Sequence, residues 1–420
     1  MRYNLMHLSW PGGPLRGTAQ LPASKSEANR ALILRALAGG GTLGNLSDAN
    51  DTQLMLRLLA AAPGTTELSA EDAGTVMRFL TAYLTVTNWR GRLTGTARMQ
   101  ERPIAVLVDA LRQAGASINY LNSDGYPPLE IAGFAAAKEA DSPTELSVRG
   151  DISSQYISAL LMVGLRLPGG LRLTLTGHIG SRPYINMTVA LMQRFGADYS
   201  AVGGVLTVRP GQYRPTDYTI ESDWSAASYW YSFVALAPAG SEIMLSGLRR
   251  ESLQGDQAIA GMMTNFGVET IFLPNGVHLR QVPLVAQTEI QTLDFTDCPD
   301  LAQTVAVIAA ALNRPVDLTG LESLRIKETD RIAALQTELA KFGGDLRDLG
   351  EGRFRAESRD FFSVSGQLVA TYHDHRMAMA FAPLAMRGAL RVEAPTVVRK
   401  SYPQFWKELA KSGFVITEAD

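Results

Sequence analysis

Five times along a chain of 420 residues, a helix-like run ends in a glycine and a short strand-like run follows: at Gly115, Gly196, Gly267, Gly343 and Gly413. The copies stand 70 to 81 residues apart, too far for a solenoid unit and about right for a supersecondary module of helices and strands used repeatedly. A glycine in that place predicts the left-handed stop of a helix. The residues after it, at 116–118, 197–199, 268–272 and 414–416, alternate well enough for a strand. A sixth, worn copy is expected to end at Pro63-Gly64. Helices and strands alternating in this way predict an α/β or α+β protein built of like modules.

The helices of these modules also begin alike, with small or polar residues before an apolar run. Ser, Thr and Asp in such places read first as N-caps. Caps do not explain the cations beside them: Lys25, Arg30, Arg78, Arg182, Lys327, Arg331 and Arg376. In the run from Arg325 to Arg331, the apolar positions Ile332, Leu335, Leu339 and Phe342 predict a helix stopped at Gly343-Gly344. Lys327 and Arg331 then fall in or just before its first turn, on one face. A helix start is already partly positive, so two cations there suggest that a ligand brings the negative charge. A solvated face in which Lys327, Glu328, Asp330 and Arg331 pair among themselves remains open.

Other helix starts carry their own chemistry. Ser24-Lys25-Ser26, without the glycines of a Walker loop, suits a phosphate or carboxylate. Gly74 allows either close approach of a ligand to the backbone or a plain loop-to-helix turn. Arg102, before Pro103 at an expected helix start, either grips a carboxylate or pairs with Glu101. Ser153-Ser154-Gln155 forms a neutral hydrogen-bonding set, of which capping accounts for one serine. Asp300 is the best solitary general base, or else the cap of the apolar helix from Val305 to Leu312. His373 and His375 lack a second ligand cluster, so no metal site is expected. Cys298 reads as packing.

A net charge of −2 and a pI near 6.3 offer no global attraction to nucleic acid or to an anionic membrane. The single cysteine, the lack of a signal-peptide pattern at Met1 to His7 and the lack of a long apolar run point to a cytoplasmic protein. The best boundary candidates are Gly17 to Ala23 and Tyr218 to Asp223.

Over nearly its whole length the chain resembles the 5-enolpyruvylshikimate-3-phosphate synthases of the enolpyruvyl transferase family. The resemblance rests on Ser24-Lys25-Ser26 with Asn29-Arg30, Ala73-Gly74-Thr75 with Met77-Arg78, Glu101-Arg102-Pro103 and Tyr126-Pro127-Pro128-Leu129. It continues through Ser153-Ser154-Gln155, Pro299-Asp300, Arg325 to Arg331, Asp374-His375-Arg376-Met377-Ala378-Met379 and Lys400-Ser401-Tyr402-Pro403. It implies an α/β (α+β) fold, a two-lobed inside-out α/β barrel whose lobes hold three βαβαββ modules each. Lobe 1 would be 1–21 plus 222–420 and lobe 2 would be 22–221.

The implied reaction moves the enolpyruvyl group of phosphoenolpyruvate to the 5-hydroxyl of shikimate 3-phosphate through a tetrahedral intermediate, with no metal or organic cofactor. Shikimate 3-phosphate falls to Lys25, Ser26, Arg30, Ser153, Ser154, Gln155, Ser181, Asp300, Ser323 and Lys327. Phosphoenolpyruvate falls to Lys25, Gly74, Arg102, Gln155, Arg331, Arg376 and Lys400. Asp300, Glu328, Lys25 and Lys327 would be catalytic, and the lobes would close on the first ligand. Three positions depart from the commoner pattern: Asp72 for asparagine, Phe79 for proline and Ser323 for asparagine. The first two leave inhibitor sensitivity open. Alternatives are the sister enzyme that uses UDP-N-acetylglucosamine, whose reactive cysteine is missing from 91–103, and a non-catalytic sugar-phosphate-binding protein. A monomer is expected.

Overall fold

The computed structural model describes residues 5–134, 142–151, 153–177, 179–359 and 364–419. The chain divides into two compact units, Met1–Ala23 with Glu221–Asp420 and Ser24–Ile220. Among the described residues, six sheets alternate with helices, five of four strands and one of two.

One module shows the plan. Strand Glu67–Ser69 leads to helix Gly74–Val86 and strand Gly91–Thr94, then to helix Ala105–Gln113 and the strands Ala116–Tyr120 and Leu129–Phe134. The first two strands are parallel, and the last returns antiparallel beside the second, so the spatial order is first, second, fourth, third. The modules at 144–208 and 291–358 repeat that order.

Two more modules borrow a strand from the N-terminal segment. Leu5–Ser9 is the fourth strand beside Leu390–Glu393 and Val415–Ala419, and Thr18–Ala19 is the first strand beside Glu242–Ser246. In the two-stranded sheet, Tyr218–Thr219 pairs in parallel with Leu43–Gly44. This sixth module keeps its helices Lys25–Ala38 and Asn50–Ala61 but has no hairpin, and the chain passes through a 3-10 turn at Ala62–Gly64 into the next strand. The worn copy is therefore a truncated one. Its Gly64 is not left-handed, whereas Gly115, Gly196, Gly267, Gly343 and Gly413 have φ of 99, 94, 76, 86 and 101°.

Within a module the two helices differ in kind. The first is apolar nearly all round and buried: in Trp224–Leu236 every residue but Ser225, in Ala302–Ala311 every residue but Ala311. Such a helix is stable only inside a core, where each large aliphatic side chain removed from water contributes about 1.5–3 kcal/mol. The second is amphipathic, as in Arg331–Lys341, which buries Ile332, Leu335 and Leu339. Strands such as Ala116–Tyr120 and Thr144–Arg149 alternate buried and exposed residues, with one face on the helices and one in water. Helices thus lie inside and sheets outside, but each sheet is open and no barrel closes among the described residues.

Because each first helix follows the first strand of its module in space, its N-terminus sits at the carboxyl edge of that sheet, where α/β folds place their sites. Those N-termini are Lys25, Gly74, Ser154, Trp224, Ala302 and His375. No described helix is long and apolar enough to cross a membrane.

Candidate active site

Asp300 lies in a 3-10 turn, Pro299–Leu301, just ahead of helix Ala302–Ala311. It does not cap that helix, whose N-cap position is Leu301 with no side-chain bond. Its carboxylate instead faces three cations. Arg376 Nη2 donates to Oδ2 at 2.8 Å, Arg331 Nη1 donates to Oδ1 at 3.0 Å, and Lys327 Nζ lies 3.9 Å away.

Arg331 opens helix Arg331–Lys341, and Asp330 caps it by accepting from the backbone N–H groups of Ile332 and Ala333 at 3.0 and 3.1 Å. Lys327 ends a separate 3-10 segment, Glu322–Ile326. Lys327 and Arg331 thus fall just before and in the first turn, as expected, but the residues between them are not helical, so they share no helical face; Asp330 meets the positive helix end. The charged run is largely paired within the protein. Arg325 pairs with Asp330 at the surface, 3.4 Å apart, and Arg331 pairs with Glu328 at 2.9 Å, while Lys327 and Arg331 converge on Asp300. Asp374 completes the set. It accepts from Arg331 Nε at 2.7 Å and, as the cap of helix His375–Phe381, from the Arg376 backbone N–H at 2.8 Å. Lys400 Nζ lies 3.8 Å from Glu328 Oε1. Ser323 is half-buried in the 3-10 segment.

Four cations thus stand against three carboxylates, leaving a net positive charge in a largely buried place. Burial works to raise the Asp300 pKa, but Arg376, Lys327 and Arg331 hold it well below the usual carboxylate range. Burial lowers the pKa of Lys327 against the pull of Asp300. For Arg331 burial is outweighed by Asp374, Glu328 and Asp300, and its pKa is raised. Removing such charges from water is costly unless they are densely paired, and a site built this way stabilises negative charge brought to it.

The second unit holds its own set. Ser24 caps helix Lys25–Ala38, accepting from the Glu27 N–H at 3.4 Å, and Lys25 Nζ is 3.2 Å from Asp51 Oδ2. Arg30 is buried, with its guanidinium between the Phe79 and Tyr184 rings at 5.3 and 5.8 Å. It donates to Thr188 Oγ1 at 2.7 Å, the Ser26 carbonyl at 2.9 Å and Ser158 Oγ at 3.0 Å. Burial lowers its pKa to about 10. The departure at Phe79 is thus a ring packed under Arg30.

Gly74 starts helix Gly74–Val86, and a Cβ there would meet the Arg102 guanidinium at 2.8–3.0 Å. The space beside Gly74 is thus taken by the Arg102 guanidinium. Arg102 itself lies between helices Ala97–Gln100 and Ala105–Gln113 and not at a helix start. Ser153 caps helix Ser154–Val163, accepting from the Gln155 N–H at 3.4 Å, and Ser154 is buried in its first turn. Gln155 Nε2 donates to Thr75 Oγ1 at 3.1 Å and its Oε1 accepts from Arg78 Nη1 at 2.5 Å. Ser181 occupies the N-cap position of helix Arg182–Arg194 in a left-handed conformation, φ 53°, and makes no capping bond.

Sequence reasoning missed Asp51, Ser225, Tyr229 and Asp256, and gave Thr75 and Asp374 no role. Glu328–Arg331 is an ion pair of the local, i to i+3 kind, whereas Asp51 with Lys25, Thr75 with Gln155, Asp374 with Arg331 and Asp256 with Ser225 meet across tens of residues and leave no signal in spacing. Asp72 is exposed. Among the described residues no group of three or more His, Cys, Asp and Glu side chains is placed to hold a metal ion.

Comparison with known proteins places this geometry. A protein from Bacteroides fragilis named 3-phosphoshikimate 1-carboxyvinyltransferase is 47% identical over 407 residues, covering 96% of each chain. One of the same name from Methanospirillum hungatei is 35% identical over 434 residues, 95% of this chain and 96% of that one. Among solved structures, an EPSP synthase from Acinetobacter baumannii superposes with a TM-score of 0.79 at 20% identity, over 99% of this chain and 100% of that one. The enolpyruvyl transferase NikO from Streptomyces tendae gives 0.75 at 16%, over 99% of each. These likenesses show the two-lobed α/β fold. The family is decided by sequence: residues 10–72 and 59–409 match the model of the family described as EPSP synthase (3-phosphoshikimate 1-carboxyvinyltransferase), and the chain belongs to that family.

Proposed function

We infer that this protein transfers the enolpyruvyl group of phosphoenolpyruvate to the 5-hydroxyl of shikimate 3-phosphate and releases phosphate, a step of the shikimate pathway to aromatic amino acids. The observation that carries the reading to chemistry is Asp300, ringed by Arg376, Arg331 and Lys327, with Glu328 bound to Arg331 beside it. Two multiply charged substrates need such a density of cations.

Phosphoenolpyruvate is assigned to Lys25, Gly74, Arg102, Gln155, Arg331, Arg376 and Lys400. Shikimate 3-phosphate is assigned to Lys25, Ser26, Arg30, Ser153, Ser154, Gln155, Ser181, Asp300, Ser323 and Lys327. In the addition step a proton reaches the methylene carbon of phosphoenolpyruvate, the acceptor oxygen bonds to C2 and its hydroxyl proton leaves. In the elimination step the new methyl group loses a proton and the C2–O bond to phosphate breaks. Glu328 exchanges the proton with carbon, Asp300 takes the hydroxyl proton, and Lys25 and Lys327 stabilise developing charge. By themselves the cations hold Asp300 as a weak base; substrate anions, on binding, neutralise them and restore its basicity.

The two compact units serve as the two lobes. No metal or organic cofactor takes part, and the protein acts as a monomer in the cytoplasm, a reducing compartment that suits the single buried thiol of Cys298. The UDP-N-acetylglucosamine reading is disfavoured by the absence of cysteine from 91–103. The test is phosphate release from phosphoenolpyruvate with each acceptor in turn. Turnover with shikimate 3-phosphate alone is expected; turnover with the UDP-sugar only, or with neither, overturns the assignment.

A further inference from the structure

Behind Arg376 lies an acid that the reaction does not use. Asp256 sits in a 3-10 turn, Gly255–Ala258, and is 4% exposed. Its Oδ2 accepts from the Ser225 hydroxyl, and its Oδ1 is buried with no hydrogen-bond partner among the described residues. Ser225 in turn accepts from Arg376 Nη2 at 3.4 Å, the same nitrogen that donates to Asp300 Oδ2 at 2.8 Å. Arg376 Nη1 donates to Tyr229 Oη and the Asp300 carbonyl, both at 3.3 Å.

The groups facing Asp256 are Asp223 and Ser225 at the start of helix Trp224–Leu236, Cys298 and Asp300 from the turn before helix Ala302–Ala311, and Arg376 from helix His375–Phe381. Asp223 is engaged as a cap, accepting from the Ala226 N–H at 2.8 Å. Burial, then the nearby Asp300 charge, push the Asp256 carboxyl up to about 7 against the opposing pull of Arg376. A buried acid with one oxygen unpaired favours its neutral form for the same reason that any unpaired buried charge is costly.

We propose that Asp256 is a positioning residue for the anion grip of Arg376: as a neutral acid it leaves the guanidinium charge to the carboxylate of phosphoenolpyruvate, and on ionising it cancels the net positive charge of the cluster and weakens that grip. The inference rests on the assignment of Arg376 to phosphoenolpyruvate. Four cations against three carboxylates attract an anion; a fourth carboxylate, one hydroxyl away from Arg376, removes the excess.

Asp256→Asn holds the neutral form at every pH. Wild type and variant meet the same substrate ionisation in the same buffers, so the ratio of their KM values for phosphoenolpyruvate isolates Asp256. That ratio, wild type over variant, climbs about tenfold from pH 6 to pH 8.5; a flat ratio overturns the proposal. Arg376→Gln is measured beside it. If that change does not raise the KM, the assignment of Arg376 fails and the proposal with it; a raised KM with a flat ratio sinks the proposal alone. Should Asp256→Asn not fold, Ser225→Ala takes its place. It removes the hydrogen bond to the ionised form, so the rise in KM moves to higher pH, and an unmoved rise counts against Asp256.

Discussion

Arg331 and Asp374 are joined by two hydrogen bonds, Nε to Oδ2 at 2.7 Å and Nη2 to Oδ1 at 3.4 Å, with both side chains almost wholly out of water. Because Asp374 also caps the helix that carries Arg376, one carboxylate orients both arginines. Asp374→Ala would leave Arg331 short of a partner in the interior, a change that costs about 3–5 kcal/mol. Arg331→Lys keeps the charge but loses the fork that reaches three carboxylates, with an expected loss of about 1–3 kcal/mol. Urea unfolding midpoints check both, and an unshifted midpoint for Asp374→Ala would show that the pair is not holding the site.

Asp300→Asn separates binding from chemistry. The three cations facing Asp300 lose a competitor for the substrate anions, so the KM for phosphoenolpyruvate is expected to hold or fall. Without the base, kcat drops by about 10²–10⁴. Stability has its own pH signature. The folded pKa of Asp300 is depressed, so its contribution is fully present above the unfolded value near 4 and is lost as pH falls below that. Because the Asp300 charge also raises the Asp256 pKa, the comparison is made with Asp256→Asn in both proteins, where the stability gap should be level from pH 5 to 8 and narrow only in stronger acid. A gap that narrows near neutrality would mean that Asp300 is not held ionised.

Gly74→Ala puts a methyl group 2.8–3.0 Å from the Arg102 guanidinium. The neighbour is the far end of a flexible side chain, and alanine suits a helix start better than glycine does, so stability should change by less than about 1 kcal/mol. The displaced guanidinium should instead raise the KM for phosphoenolpyruvate by about tenfold, since one charge-assisted hydrogen bond contributes about 1.5–3 kcal/mol. Steady-state kinetics beside a thermal melt decide it; a large fall in Tm with unchanged KM would assign Gly74 to packing alone.

Asp256 carries the opposite sign from Asp300. Its folded pKa, about 7, lies above the unfolded value near 4, so the folded state holds the proton longer and wild-type stability falls as pH rises through that window. Asp256→Asn escapes the fall. Relative to wild type, the variant should gain on the order of a few kcal/mol between pH 5 and pH 8. Urea midpoints at the two pH values test this apart from any kinetics, and equal shifts at both would mean that Asp256 is ionised throughout.

Much of the modular plan was legible because its signals are local. A left-handed glycine after the second helix marks five modules, and the worn sixth is worn for a visible reason, its missing hairpin. The cations were legible as residues that capping could not account for. Their partners were not: Asp51 meets Lys25, Asp374 meets Arg331 and Asp256 stands behind Arg376 only after the modules have folded. Local pattern also misled. Asp300 before an apolar run reads as a base or a cap and is a hub of ion pairs, and Lys327, expected on one helical face with Arg331, lies outside that helix. In each case a tertiary contact outweighed the short-range preference.

The most direct measurement is the hydrogen content of the product formed from phosphoenolpyruvate and shikimate 3-phosphate in deuterated water, read by mass spectrometry after a single turnover. Protonation of the methylene carbon makes a transient methyl group, which then loses one of its three hydrogens. Enolpyruvyl transfer by addition and elimination therefore predicts deuterium in the methylene of the product, with the rate of its appearance sharply reduced in Glu328→Gln. A product free of carbon-bound deuterium, or a Glu328→Gln protein that forms it at the wild-type rate, would contradict the mechanism assigned to this site.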